Sequence, residues 1–199
     1  EFGKVEGTTE EMIFANAGLP FIAPEMREST DVIQIARESA LDEIIQLEDI
    51  RGLVHCHSTY SDGVNTIEEM ANAAMSMDLE YMVITDHSQA AFYANGLSEE
   101  RVMQQFNEID NLNKKYDNFH IYKGIEADIL SDGSMDYGDD FLSEFEVVIA
   151  SIHSNLKMDK KKANHRLLQA IENPHTHILG HPTGRLLLSR EGYPVDHML

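Results

Sequence analysis

From position 52 onward, every strand-forming segment of this chain runs into an imidazole or a carboxylate, and that restricts it to folds that gather strand ends. Residues 53–57 read as a short strand carrying His55 and His57. The loop behind it, Ser58-Thr59-Tyr60-Ser61-Asp62-Gly63, holds Asp62. Residues 81–85 form a buried strand followed directly by Asp86 and His87. Strands at 121–125, 147–151 and 177–179 are followed by Glu126, His153 and His181. Helices are predicted between them at 66–77, 98–116 and 160–172, with capping residues such as Ser98 at their starts and Asn173-Pro174 closing the last. Such alternation implies βαβ units, hence an α/β fold with a parallel sheet or barrel. In these folds the carboxyl ends of the strands share one face, where active sites form. Residues far apart in sequence therefore converge.

The residue types define the chemistry of that face. His55 and His57 are an i, i+2 pair, so on a strand both imidazoles point one way and can serve one ion. Cys56 then points toward the packed side and reads as a small buried apolar residue. Mixed imidazole and carboxylate ligands suit Zn, Mn or Fe better than Ca or Mg. Glu126 can bridge two ions through its two oxygens. Ions a few ångströms apart permit two-metal phosphoester chemistry, one ion acidifying the attacking water and another neutralising the phosphate and leaving oxygen. No Ser or Cys nucleophile is then needed. His120, His165, His175, His177 and His197 do not fit the pattern and are read as surface or supporting residues.

The first 49 residues lack any such cluster. Thr8 and Glu11 stand at capping-box spacing, and the helix they open should stop at Gly18, with Pro20 beyond. A second helix should start at Ser29-Thr30-Asp31, with Ile33, Ala36, Ala40, Leu41, Ile44 and Leu47 on one face. This reads as a packing or linker segment. All ten histidines lie at or beyond position 55. The chain has 199 residues, 42% of them hydrophobic, and no apolar run of transmembrane length or signal-peptide pattern. Its one cysteine excludes an internal disulfide framework and suits a reducing, cytoplasmic setting. A net charge of −20 repels polyanions, so handling phosphates requires bound cations or a basic neighbour.

The stretches His55-Cys56-His57-Ser58-Thr59-Tyr60-Ser61-Asp62-Gly63, Ile84-Thr85-Asp86-His87-Ser88, Gly124-Ile125-Glu126, Ser151-Ile152-His153-Ser154 and Gly180-His181-Pro182 resemble the PHP (polymerase and histidinol phosphatase) family of trinuclear metal phosphoesterases. Gly180-His181-Pro182-Thr183-Gly184-Arg185-Leu186-Leu187 and Leu47-Glu48-Asp49-Ile50-Arg51-Gly52 are most similar to the PHP domain of bacterial family X DNA polymerases. On that resemblance, residues 1–25 are the end of a polymerase thumb region, 26–49 a helical linker and 50–199 a partial PHP phosphoesterase domain. The implied fold is a distorted TIM-like barrel of seven βα units. The resemblance implies up to three divalent ions, Mn²⁺ or Zn²⁺ with Fe also compatible. His55, His57 and Glu126 would hold the first, Asp62 and His87 the second, and Glu126, His153 and His181 the third. Glu126, Asp86 and Arg185 are the expected catalytic residues, and Lys157 and Arg190 further candidates for phosphate contact. The implied activity is 3′→5′ exonuclease or 3′-end processing in DNA repair, on DNA 3′ ends reached through the parent polymerase. A small-molecule phosphatase and an inactive structural fragment are the alternatives. The family's late Asp-x-His has no counterpart, because Asp196 and His197 are adjacent. The chain thus reads as ending before the last strands, with fewer than three tight ions and with the polymerase fingers and palm absent.

Overall fold

The computed structural model describes residues 9–27, 29–38, 45 and 47–196. Contacts divide the chain into two units, Glu1–Ile50 and Arg51–Leu199. In the first, helix α1 (Glu10–Asn16) is capped by Thr9, whose hydroxyl accepts from the Met12 backbone N–H. Thr8, the expected cap, lies outside the described residues. Helix α2 (Val32–Glu38) begins as expected, but its buried face is Val32 and Ala36, while Ile33 and Leu47 are exposed. Leu47 belongs to a separate 3₁₀ turn, Leu47–Asp49, so it does not continue that face. Ala40, Leu41 and Ile44 lie outside the described residues. A small core of Ile22, Val32 and Ala36, with Phe14 and Met26 against it, spans position 25. Arg27 ties back to Glu10 through two hydrogen bonds.

The second unit is an α/β fold built on one five-stranded parallel sheet. Strands β1 (Gly52–Cys56), β2 (Tyr81–Ile84), β3 (His120–Asp128), β4 (Val147–Ser151) and β5 (Ile178–Leu179) follow one another in space as in sequence. Helices α3 (Ile67–Ser76), α4 (Glu99–Asn113), α5 (Asp139–Leu142) and α6 (Lys160–Glu172) occupy the crossovers. Thr66 and Glu69 form a capping box on α3, and Ser98 and Asp159 cap α4 and α6 through their side chains. Along β3 the odd positions Ile121, Ile125 and Ala127 enter the helix-facing cores, so Glu126 and Asp128 lie on the opposite, inner face. Fully buried Arg166 on α6 donates to the carbonyls of Ile129, Leu130 and Ser154, satisfying the loops behind β3 and β4.

The sheet curls. In a flat five-stranded sheet the edge strands would stand about 19 Å apart. Here the ring centroids of His55 and His181, at the ends of the two edge strands, are 5.9 Å apart. Gly180 allows this approach. A Cβ there would lie 2.2 Å from the Ser151 hydroxyl oxygen and 3.4 Å from His55 Cε1. Five strands forming part of a barrel agree with the expected TIM-like architecture. Among the described residues no helix is long and apolar enough to cross a membrane.

Strand boundaries differ in two instructive places. β1 begins one residue early and breaks register between Leu53 and Cys56, with His55 at a φ of 68°. The two histidines therefore share a face through a bulged, twisted strand end and not through regular alternation. β3 runs to Asp128, because its ladder continues through the His87–Glu126 bridge and on to β4.

Candidate metal centre

Every strand delivers at least one polar side chain to the curled edge. Glu126 is at its middle, 1% exposed. Its Oε1 lies 2.9 Å from His55 Nε2, 3.2 Å from His153 Nε2 and 2.9 Å from His181 Nε2. Its Oε2 lies 3.1 Å from His87 Nδ1 and 3.4 Å from His57 Nε2. Asp62 stands at the solvent side, 3.5 Å from His57 Nδ1 and 3.7 Å from His87 Nε2. All seven residues expected as ligands thus meet in one cluster. His55 and His181 both adopt positive φ, 68° and 26°, which non-glycine residues rarely do outside constrained sites.

These residues fit divalent cations. Three ligand groups have their donor atoms within 4.8 Å of one another: His55 with Glu126 and His181, His57 with Asp62 and His87, and His87 with Glu126 and His153. The Nδ1 atoms of His57 and His87 are buried yet make no hydrogen bond, although each is close to a carboxylate oxygen. A cation would satisfy both atoms. Burial pushes the Glu126 carboxyl upward, but hydrogen bonds from His153, His181 and His55 outweigh it and hold the group ionised. Burial, together with the neighbouring His57 and His153, lowers the His87 pKa against the pull of Glu126, which favours its neutral, ligating form. Against an opposing burial effect, hydrogen bonds to Asp128 and Glu126 raise His153 to about 9. The field that favours a proton there equally favours a metal cation.

The side chains that lie closest together combine the expected ligands in another way. His55 groups with His181 across the curl, and His57 with Asp62 and His87. Beside the bulge in β1, the two neighbouring imidazoles approach opposite oxygens of Glu126.

Asp86 stands apart from these groups. Expected among the catalytic residues, it is fully buried and accepts from the backbone N–H groups of Ser58 and Ser61, from both serine hydroxyls and from Gln105 Nε2. It clamps the loop that carries Asp62 behind His57. Arg185 is exposed at the mouth of a cavity shared with His153 and His181. His177 accepts the Val148 N–H through Nδ1, and His120 packs against Tyr122. Neither approaches the cluster, and His197 lies outside the described residues.

One residue of the centre was not anticipated. Asp128, 2% exposed, lies 2.6 Å from His153 Nδ1. It fixes the ring so that Nε2 faces Glu126. The signal was present as Glu126-Ala127-Asp128, the same i, i+2 spacing as His55 and His57. Asp128→Asn should weaken cation affinity by about 10–100-fold, read by titration against a competing chelator. Unchanged affinity would exclude the orienting role.

Residues 54–193 match the PHP domain. The chain belongs to the PHP domain family. This PHP domain chain is 48% identical over 188 residues to the DNA polymerase/3′-5′ exonuclease PolX of Bacillus subtilis (strain 168), an alignment covering 94% of the chain and 33% of that protein. It is 29% identical over 147 residues to a probable phosphatase of Caldanaerobacter subterraneus and 30% identical over 148 residues to one of Thermoanaerobacter sp. (strain X514). Those two alignments each cover 71% of the chain, and the chain spans about half the length of each phosphatase.

Proposed function

We propose that this PHP domain hydrolyses phosphoesters with divalent cations, and that its substrate is the 3′ end of DNA, processed in the 3′→5′ direction. One observation carries the reading. A single buried carboxylate, Glu126, faces five imidazole nitrogens within 3.4 Å, three at one oxygen and two at the other. Bound cations supply Lewis acidity and a water that ionises near neutral pH. The chain's own residues do the rest. Glu126 offers one oxygen to each side of the centre. Asp128 holds His153 in register, and the loop clamped by Asp86 brings Asp62 to the outer side. Arg185 neutralises the phosphate from the rim. Mn²⁺ or Zn²⁺ suits this nitrogen and oxygen ligand set.

The DNA reading is supported by the extent of similarity. The alignment with the Bacillus polymerase/exonuclease covers 94% of the chain and so extends well into the first unit, whereas the phosphatase alignments cover 71%. The test supplies the chain with Mn²⁺ or Zn²⁺ and either a single-stranded oligonucleotide with a free 3′ end or a small phosphate monoester. Stepwise loss of 3′ nucleotides, abolished by a chelator, is expected. Hydrolysis confined to the monoester would transfer the assignment to a small-molecule phosphatase, and no hydrolysis of either would mark a structural module. Arg185→Ala should raise the KM for the oligonucleotide by about tenfold without lowering metal content. An unchanged KM would remove Arg185 from the phosphate site.

A further inference from the structure

Beside the metal centre two large aromatic side chains are held in solvent. Phe92 is 85% exposed and Tyr93 62% exposed. They sit on the 3₁₀ turn Phe92–Ala94, and the alanines on either side of them, Ala91 and Ala94, are buried. The turn is pinned at its far end. Asn95 takes a left-handed conformation and donates from Nδ2 to the Tyr60 carbonyl, and Arg101 donates to the Asn95 carbonyl. Both side chains are thus presented to water from a fixed support.

Tyr93 leans toward the centre. Its ring centroid is 6.4 Å from that of His87. With His153, His181, Arg185 and Arg190 it lines a cavity of about 340 Å³, a size typical of small-molecule sites. Arg190 is held at the rim by its Nε–H bond to the Gly184 carbonyl, 2.8 Å, and by backbone pairing with Leu186.

The cavity combines cationic groups, an aromatic face and the ion ligands within one opening. A nucleotide presents the complementary features, an anionic phosphate next to a flat base. At a net charge of −20, long-range attraction does not draw polyanions to this chain, so selection has to be made by short-range contacts. Stacking on an aromatic ring is such a contact and tolerates every base.

We propose that Tyr93, supported by Phe92, is a stacking platform for the base next to the scissile phosphate, with Arg185 and Arg190 on that nucleotide's phosphate. The proposal rests on the phosphoesterase reading and adds the selecting element: an unpaired nucleotide end is favoured over a bare phosphate ester.

The test measures binding of a fluorescein-labelled single-stranded oligodeoxynucleotide, its last linkage a phosphorothioate, by anisotropy in Mn²⁺. The comparison is the same oligonucleotide with its two 3′-terminal bases removed. About tenfold tighter binding of the base-bearing end is expected, with the preference lost in Tyr93→Ala and retained in Tyr93→Phe. Equal affinities, a preference that survives Tyr93→Ala, or no binding would each overturn it. Hydrolysis of bis(p-nitrophenyl) phosphate by the unaltered chain separates the two claims. Turnover without a base preference sinks the platform alone, whereas absence of turnover sinks the phosphoesterase reading.

Discussion

Glu126→Gln should abolish the centre while leaving the fold in place. The amide has the volume of the carboxylate, so the packing around a side chain that is 1% exposed is retained. What disappears is the anion facing His55, His57, His87, His153 and His181. An amide offers one weak acceptor oxygen and turns an N–H₂ toward the other imidazoles. Loss of an orienting partner alone lowers metal affinity by about 10–100-fold, and loss of the shared ligand should exceed ~100-fold. Several kcal/mol of charge stabilisation in the transition state goes with the ions, so hydrolysis should fall by ~10³ or more. Elemental analysis after gel filtration and the oligonucleotide assay would record both. A variant that kept its full complement of cations would refute the bridging role.

Asp86→Ala should act on stability first. Its carboxylate receives the Ser58 N–H at 2.7 Å, the Ser61 N–H at 3.2 Å, two serine hydroxyls and the Gln105 amide at 2.6 Å. Removing it strands these donors in a site of zero exposure. Buried donors left unsatisfied cost about 1–3 kcal/mol each, so a loss of about 3–5 kcal/mol is expected. Urea unfolding measured in chelator isolates this cost from any metal effect. The loop at 58–63 would loosen as well, so the His57, Asp62 and His87 group should lose its ion before the other two groups do. A change below about 1 kcal/mol would mean that water replaces the carboxylate without penalty.

The seven candidate ligands were legible in the sequence because each lies near a strand end or in the loop behind one, and parallel topology converts that position into convergence. Helix starts at Ser98, Thr66 and Asp159 carry side-chain caps, so their positions were readable too. What could not be read was local geometry that depends on neighbours. The bulge at His55 lies in the pairing with β2, and His55 and His57 approach different oxygens of Glu126. Asp86 has the same strand-end position as the ligands, so sequence position could not separate a loop clamp from a catalytic group. Only the donors on Ser58, Ser61 and Gln105 distinguish them. Tyr93 gave no signal, because an aromatic residue in a short turn is normally packed inward. In α2, apolar spacing suggested a longer stripe, but Ile33 is exposed and Leu47 belongs to another turn.

The ligand groups differ greatly in how much chain each spans. His57, Asp62 and His87 come from two adjacent strands and the loop between them. His55, Glu126 and His181 require the first, third and last strands together. On a growing or refolding polypeptide the His57 group can assemble early, while the His55 group has to await closure of the longest loop. Cation uptake should therefore occur in stages, and occupancy of the last group would report that β5 has docked.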